Sequence, residues 1–173
     1  SIGLMVANKK ESQDICFIPD NDYAGFLEKE VGINLPPEGN FVLQNGEIVG
    51  RHLGVYHYTI GQRKGLNLAL GKPVFVNHID VIRNEVVVGD NADVFQTSLQ
   101  CNQVNYMADE IWNEDKIYLG KIRYSHQGTP CKVRRLEKDR YEVIFTEPVR
   151  AVTPGQAVVL YDGEYVAGGG TIL

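Results

Sequence analysis

Thr129-Pro130-Cys131-Lys132-Val133-Arg134-Arg135-Leu136 decides how the chain is read. Cys131 and Val133 alternate with Lys132 and Arg134, and a period of two is that of a strand with one face inward and one outward. The charges of Lys132 and Arg134 therefore share a face. The last 80 residues hold at least four more such runs, near 101–107, 116–124, 141–146 and 156–161, with a final one after Asp162-Gly163. Short strands separated by regular turn signals predict a closed or nearly closed antiparallel barrel. There is no internal repeat and no low-complexity tract.

Upstream the pattern changes. Pro19-Asp20-Asn21-Asp22 offers capping side chains, Tyr23, Phe26 and Leu27 follow at helical spacing, and Gly32 gives a stop. This predicts one short amphipathic helix over about residues 21–31. Leu35-Pro36-Pro37-Glu38-Gly39 is a rigid connector. Phe41-Val42-Leu43-Gln44 and Glu47-Ile48-Val49 flank Asn45-Gly46, a pair suited to a type I′ hairpin turn. Val55 to Ile60 reads as a strand, and Val74–Ile82 with Glu85–Val88 as a second hairpin turning near Arg83-Asn84. Gly89-Asp90-Asn91-Ala92-Asp93 breaks the pattern and is the candidate junction. The expected fold is mainly β: a small middle domain with one short helix and β-hairpins (21–91), then a C-terminal antiparallel β-barrel (92–173), with residues 1–20 belonging to whatever precedes them.

Composition narrows the function classes. The 173 residues are 43% hydrophobic and 23% charged, as in a folded domain. A net charge of −5 excludes a uniformly basic nucleic-acid coat and leaves a local basic face open. Residues 121–150 hold eight of the 17 Lys and Arg but four of the 22 Asp and Glu, so that window carries +4 and the remainder −9. No apolar run approaches the ~20 residues of a membrane span. The chain opens Ser1-Ile2-Gly3, without Met or a charged-then-apolar leader, and so reads as non-secreted and trimmed or partial. Cys16, Cys101 and Cys131 are odd in number and widely spaced, and the four histidines are scattered. Neither a disulfide scaffold nor a structural zinc site is expected; a reducing, cytoplasmic setting is.

Several local features carry both a plain and a chemical reading. Cys16, in Asp14-Ile15-Cys16-Phe17-Ile18, is either a small buried hydrophobe or a nucleophile; nearby Asp14, Asp20 and Asp22 disfavour its thiolate, so activation would have to come from elsewhere. In Tyr58-Thr59-Ile60-Gly61-Gln62-Arg63-Lys64-Gly65-Leu66, glycines bracket Arg63 and Lys64 in a turn that is either plain surface or a phosphate contact; its spacing is not that of a nucleotide-binding P-loop. Gly168-Gly169-Gly170 lacks a following helix and reads as a bulged or twisted strand. Thr153-Pro154-Gly155-Gln156 is a turn whose Gln could hydrogen-bond a ligand.

Taken together and in order, several of these blocks resemble one family. They are Asp14-Ile15-Cys16-Phe17-Ile18, the Tyr58–Leu66 block, Arg123-Tyr124, and Glu147-Pro148-Val149-Arg150-Ala151-Val152-Thr153-Pro154-Gly155-Gln156, with the closing Gly163-Glu164 and Gly168-Gly169-Gly170. The chain resembles the tRNA-specific 2-thiouridylases, the MnmA/TrmU family, over essentially its whole length. Ser12-Gln13-Asp14 departs from the residues many members carry before the cysteine. The resemblance implies a sulfurtransferase that converts the wobble uridine, U34, to 2-thiouridine. ATP adenylates the C2 oxygen, a persulfide on Cys16 delivers sulfur, and a first cysteine completes the displacement and can form a disulfide with Cys16. It implies that the ATP-pyrophosphatase domain and that first cysteine are absent from this chain, which would be inactive alone and bind no cofactor or metal itself. It implies tRNA and a protein sulfur donor, a cysteine desulfurase or relay protein, as partners, with no membrane. By motif position Arg123, Tyr124 and Gln156 would touch tRNA, and Arg63 and Lys64 could add phosphate contacts. Read as a strand, Arg123-Tyr124 would point its side chains to opposite faces. The alternatives are a non-catalytic RNA-binding β-barrel in which Cys16 is structural, and an interaction barrel with no nucleic-acid partner.

Overall fold

The computed structural model describes Ile18, residues 22–107 and residues 111–173. Cys16 and the rest of the expected 1–20 segment apart from Ile18 lie outside the described residues.

Helix α1 (Tyr23–Val31) starts where a side chain can cap it. Asp22 accepts a hydrogen bond from the Gly25 amide at 2.9 Å, and Gly32, at φ 61°, ends the helix with its amide on the Glu28 carbonyl. None of its residues is fully buried. The helix is tied instead through Glu28, which accepts from the Tyr56 hydroxyl at 3.0 Å and lies 3.5 Å from His57 Nε2.

Strands β1 (Gly39–Val42), β2 (Ile48–His52), β3 (Phe75–Asp80) and β4 (Glu85–Gly89) form one sheet in the order β2-β1-β4-β3. The expected hairpins are both present, and a parallel β1–β4 pairing joins them. Two local expectations are corrected. The first turn is not type I′: neither Gln44 nor Asn45 has a positive φ, only Gly46 does, and the turn closes from the Gly46 amide to the Leu43 carbonyl. A register shift between Phe41 and Val42 absorbs the extra loop length. Val55 to Ile60 is not a strand. Val55–His57 is a 3-10 turn entered through Gly54 at φ 134°, and the chain then crosses the sheet as irregular backbone. Its aromatic, β-branched composition serves packing: Val55 and Tyr58 join Phe41, Leu66, Val74, Val76, Val86 and Val88 in the sheet's core.

His52 completes that core. It is 1% exposed, with ring-edge contacts to Phe41 and Tyr58 at 5.5 and 5.6 Å. Its Nδ1 accepts from the Gly54 amide at 3.1 Å, so Nε2 carries the proton and donates to the Asn84 carbonyl at 3.2 Å. Burial is the first cause holding its pKa below the ordinary imidazole value.

The second unit is the expected barrel, closed in the order β10-β5-β8-β7-β6-β9 with every pairing antiparallel. Its strands are β5 (Phe95–Tyr106), β6 (Tyr118–Lys121), β7 (Thr129–Glu137), β8 (Arg140–Arg150), β9 (Ala157–Asp162) and β10 (Tyr165–Ile172). Alternate residues fill the interior: Leu99 and Cys101, Cys131 and Val133, Tyr141 and Val143, Val158 and Leu160. Trp112 packs edge-on against Tyr106 and Tyr141, whose hydroxyls are 2.8 Å apart. Gly168, at φ 150°, brings β10 close to that indole; a Cβ there would sit 2.9 Å from Trp112 Nε1. The three consecutive glycines are the twisted, bulged strand their sequence suggests, with register shifts on both sides of Gly168-Gly169.

Candidate nucleic-acid interface

Strands β6 and β9 pair side by side, Leu119 opposite Tyr161 and Lys121 opposite Val159. Their inward residues, Tyr118, Gly120, Val158 and Leu160, belong to the packed interior, so Lys121, Ala157, Val159 and Tyr161 face outward. Two connections rise beside this face: residues 122–128 between β6 and β7, and 151–156 before β9. Together they enclose a groove of about 490 Å³ lined by Lys121, Ile122, Arg123, Tyr124, Gln156, Ala157, Val159 and Tyr161. The lining holds two cations and no carboxylate, against a net charge of −5 for the chain.

Arg123, Tyr124 and Gln156, far apart in sequence, thus meet on one surface. Arg123 and Tyr124 do not continue a strand, since β6 ends at Lys121. They occupy the following bend and turn, and there both line the same groove instead of pointing to opposite faces. Tyr124 is 71% exposed. Gln156 is held by its main chain, donating to Thr153 and accepting from Ile172, while its side chain makes no hydrogen bond among the described residues.

The 122–128 loop is pinned by His126, which stands alone in the chain with no motif around it to single it out. His126 Nδ1 accepts from the Ile122 amide at 3.3 Å, and Nε2 donates to Thr129 Oγ1 at 3.2 Å. Burial, then the charges of Arg123 and Lys121, lower its pKa, so the neutral ring is the form that holds the loop at pH 7.

Arg63 and Lys64 are exposed but do not line this groove; Arg63 borders a smaller depression with Gly65, Leu66 and Lys72. Arg150 is the link between the two places. Its carbonyl accepts from Arg123 Nη1 at 2.7 Å, its Nη2 donates to the Gly61 carbonyl at 2.9 Å, and its guanidinium lies 5.6 Å above the Phe75 ring. Gly61 is required at this crossing: φ is 85°, and a Cβ would sit 2.9 Å from Ala151 Cβ. Arg150 was legible only as part of a motif; its clasp between sheet and barrel was not.

Lys132 and Arg134 face outward together on β7, as their alternation predicts. Arg134 is already paired with Glu142 on β8. Cys101 and Cys131 are fully buried in the barrel, and burial pushes their thiols up to about 11 and about 12. Among the described residues no group of His, Cys, Asp and Glu is arranged to hold a metal, and no helix is long and apolar enough to cross a membrane.

Two family models divide the chain much as its two sheets do. A tRNA methyl transferase PRC-barrel domain matches residues 24–90, and an aminomethyltransferase β-barrel domain matches residues 96–172. Over 172 residues the chain is 52% identical to a tRNA-specific 2-thiouridylase of Lachnoclostridium phytofermentans, covering 99% of this chain and 48% of that protein. It is 49% identical over 170 residues to the one from Carboxydothermus hydrogenoformans (98% and 46%), and 46% identical over 172 to one from Clostridium botulinum (99% and 48%). The chain belongs to the tRNA-specific 2-thiouridylase family and spans about half the length of the curated relatives it matches, their C-terminal part.

Proposed function

We propose that this chain supplies the tRNA grip and the sulfur-carrying cysteine of a tRNA 2-thiouridylase. The observation that carries the reading is the groove: three residues assigned to tRNA by motif position alone converge on one cation-lined surface. Arg123 offers a charge-assisted donor to a phosphate, Tyr124 a ring or hydroxyl, and the Gln156 amide a donor and acceptor to a ribose or base edge. Arg63 and Lys64 reach a second stretch of the same backbone, at a distance from the groove set by the Arg150 clasp.

In this reading ATP, taken up by another domain, converts the C2 oxygen of U34 into an adenylate leaving group. Cys16 arrives charged as a persulfide by a protein sulfur donor. Its terminal sulfur attacks C2, AMP departs with the oxygen, and a Cys16–S–S–C2 link remains. A second cysteine thiolate then attacks the Cys16 sulfur. The S–S bond breaks towards C2, releasing 2-thiouridine and leaving the two cysteines as a disulfide for later reduction. The deep burial and raised pKa of Cys101 and Cys131 support giving this role to neither of them.

The test has two readouts. In the intact enzyme Cys16→Ser abolishes thiolation while tRNA still binds. In this chain Arg123→Ala combined with Gln156→Ala weakens binding of an unmodified tRNA transcript at least tenfold. Thiolation that survives Cys16→Ser, with binding lost in the double variant, leaves an RNA-binding barrel with a structural cysteine. Unchanged binding removes the interface itself.

A further inference from the structure

The groove contains a pair that neither the motif reading nor the family models assign. Tyr161 lies on its floor, half-buried, and the Lys121 ammonium sits over the ring 5.3 Å from its centroid. The backbone of Tyr161 is held between β6 and β10, opposite Leu119 and Val166, so only its two side-chain torsions place the ring on the groove floor. Ala157 and Val159, small outward residues of the same strand, leave the space above that strand open. A volume of about 490 Å³ falls in the range of pockets that hold small ligands, well beyond what a lone phosphate needs. A cation resting on an aromatic face marks that face as accessible and electron-rich, and an unpaired nucleobase uses the same face.

We infer that Tyr161 is a stacking platform for one unpaired base of the bound tRNA, with Lys121 as a displaceable cover. When the base takes the ring face, the Lys121 ammonium swings to the phosphate of that nucleotide, beside Arg123. The groove then holds a complete nucleotide: the base on Tyr161, the phosphate between Lys121 and Arg123, and the Gln156 amide at the ribose or base edge. This rests on the groove's being the tRNA interface, and it adds the requirement that the RNA be unpaired there. A fully paired helix presents no free base face to a ring set in a floor.

Two probes separate the possibilities: an unmodified tRNA transcript and a fully paired RNA duplex with the same number of phosphates. Tyr161→Leu weakens tRNA binding about tenfold without changing its salt dependence, because a stacking contact releases no counterions. Tyr161→Phe and Tyr161→Trp retain binding within about twofold. Lys121→Ala lowers the slope of log K against log salt by about one for tRNA. The duplex is insensitive to Tyr161→Leu. Unaltered tRNA binding by Tyr161→Leu, or equal weakening of tRNA and duplex, overturns the platform. Insensitivity to Arg123→Ala with Gln156→Ala overturns the interface as well, so the two failures are distinguishable. Tryptophan-monitored unfolding confirms that each variant is folded, since the probe, Trp112, lies inside the barrel and Tyr161 faces out.

Discussion

In the barrel every strand has two hydrogen-bonded neighbours, whereas in the four-stranded sheet β2 and β3 have one each. The interiors differ to match. The barrel closes on itself and packs alternate apolar side chains, with Trp112, Tyr118, Tyr141 and Phe145 as its buried aromatic members and Tyr106 packed against them. The sheet cannot close, so an irregular crossing segment lies over it and a buried histidine ties that segment to the strands. A closed sheet needs little beyond alternation to specify it; an open one is finished by hydrogen bonds whose geometry depends on protonation.

The comparison can be broken most severely from the barrel side. Leu160 is fully buried among residues from several strands, and Leu160→Ala costs about 2–5 kcal/mol. Denaturant unfolding followed by the fluorescence of Trp112, the single tryptophan, measures this directly. A loss under about 1 kcal/mol would mean that the barrel tolerates voids and is less tightly packed than its burial indicates.

A smaller effect belongs to the sheet. His52→Leu leaves the Gly54 amide without its acceptor, at a cost of about 1–3 kcal/mol. Hydrogen exchange should show the loss in β1–β4 amides and not in β5–β10. The same contact gives the sheet a pH dependence of definite sign. The folded pKa of His52 lies below 6.5, so its stabilisation is whole above about pH 6.5 and is lost as pH falls towards the folded pKa. Between pH 7 and pH 5 the sheet therefore loses protection relative to the barrel core; equal loss in both would erase the distinction. The smallest effect is on the barrel's outer face. Because Arg134 is neutralised by Glu142 and Lys132 has no such partner among the described residues, Lys132→Ala lowers the salt slope of tRNA binding more than Arg134→Ala does. The reverse order would show that Glu142 releases Arg134 when RNA binds.

This difference also explains what the sequence could reveal. The barrel strands were readable because Cys131-Lys132-Val133-Arg134 and its counterparts alternate with a period of two, and alternation is a local property. The crossing segment is strand-like in composition at Val55, Tyr56 and Tyr58, yet Val55 and Tyr58 serve long-range packing in the core around Phe41, and Tyr56 reaches out to Glu28 on the helix. The Asn45-Gly46 turn was misread because one residue of register, set by the bulge at Phe41/Val42, selects another turn. At the groove, motif position picked out Arg123, Tyr124 and Gln156, but it could not show that a strand ends before Arg123 and so turns two residues to one surface. Tyr161, His126 and Arg150 act through neighbours distant in the chain, and no spacing announces them.

The two barrel cysteines have a consequence for handling the protein. With pKa values near 11 and 12, about one in 10⁴ to 10⁵ of those thiols is ionised at neutral pH, and strands on every side screen them from reagents. Alkylation of the native chain should therefore stop at one equivalent at most, and two further equivalents should react only when the barrel opens. Counting modified sulfurs against time turns these silent side chains into a built-in gauge of opening, readable by mass alone.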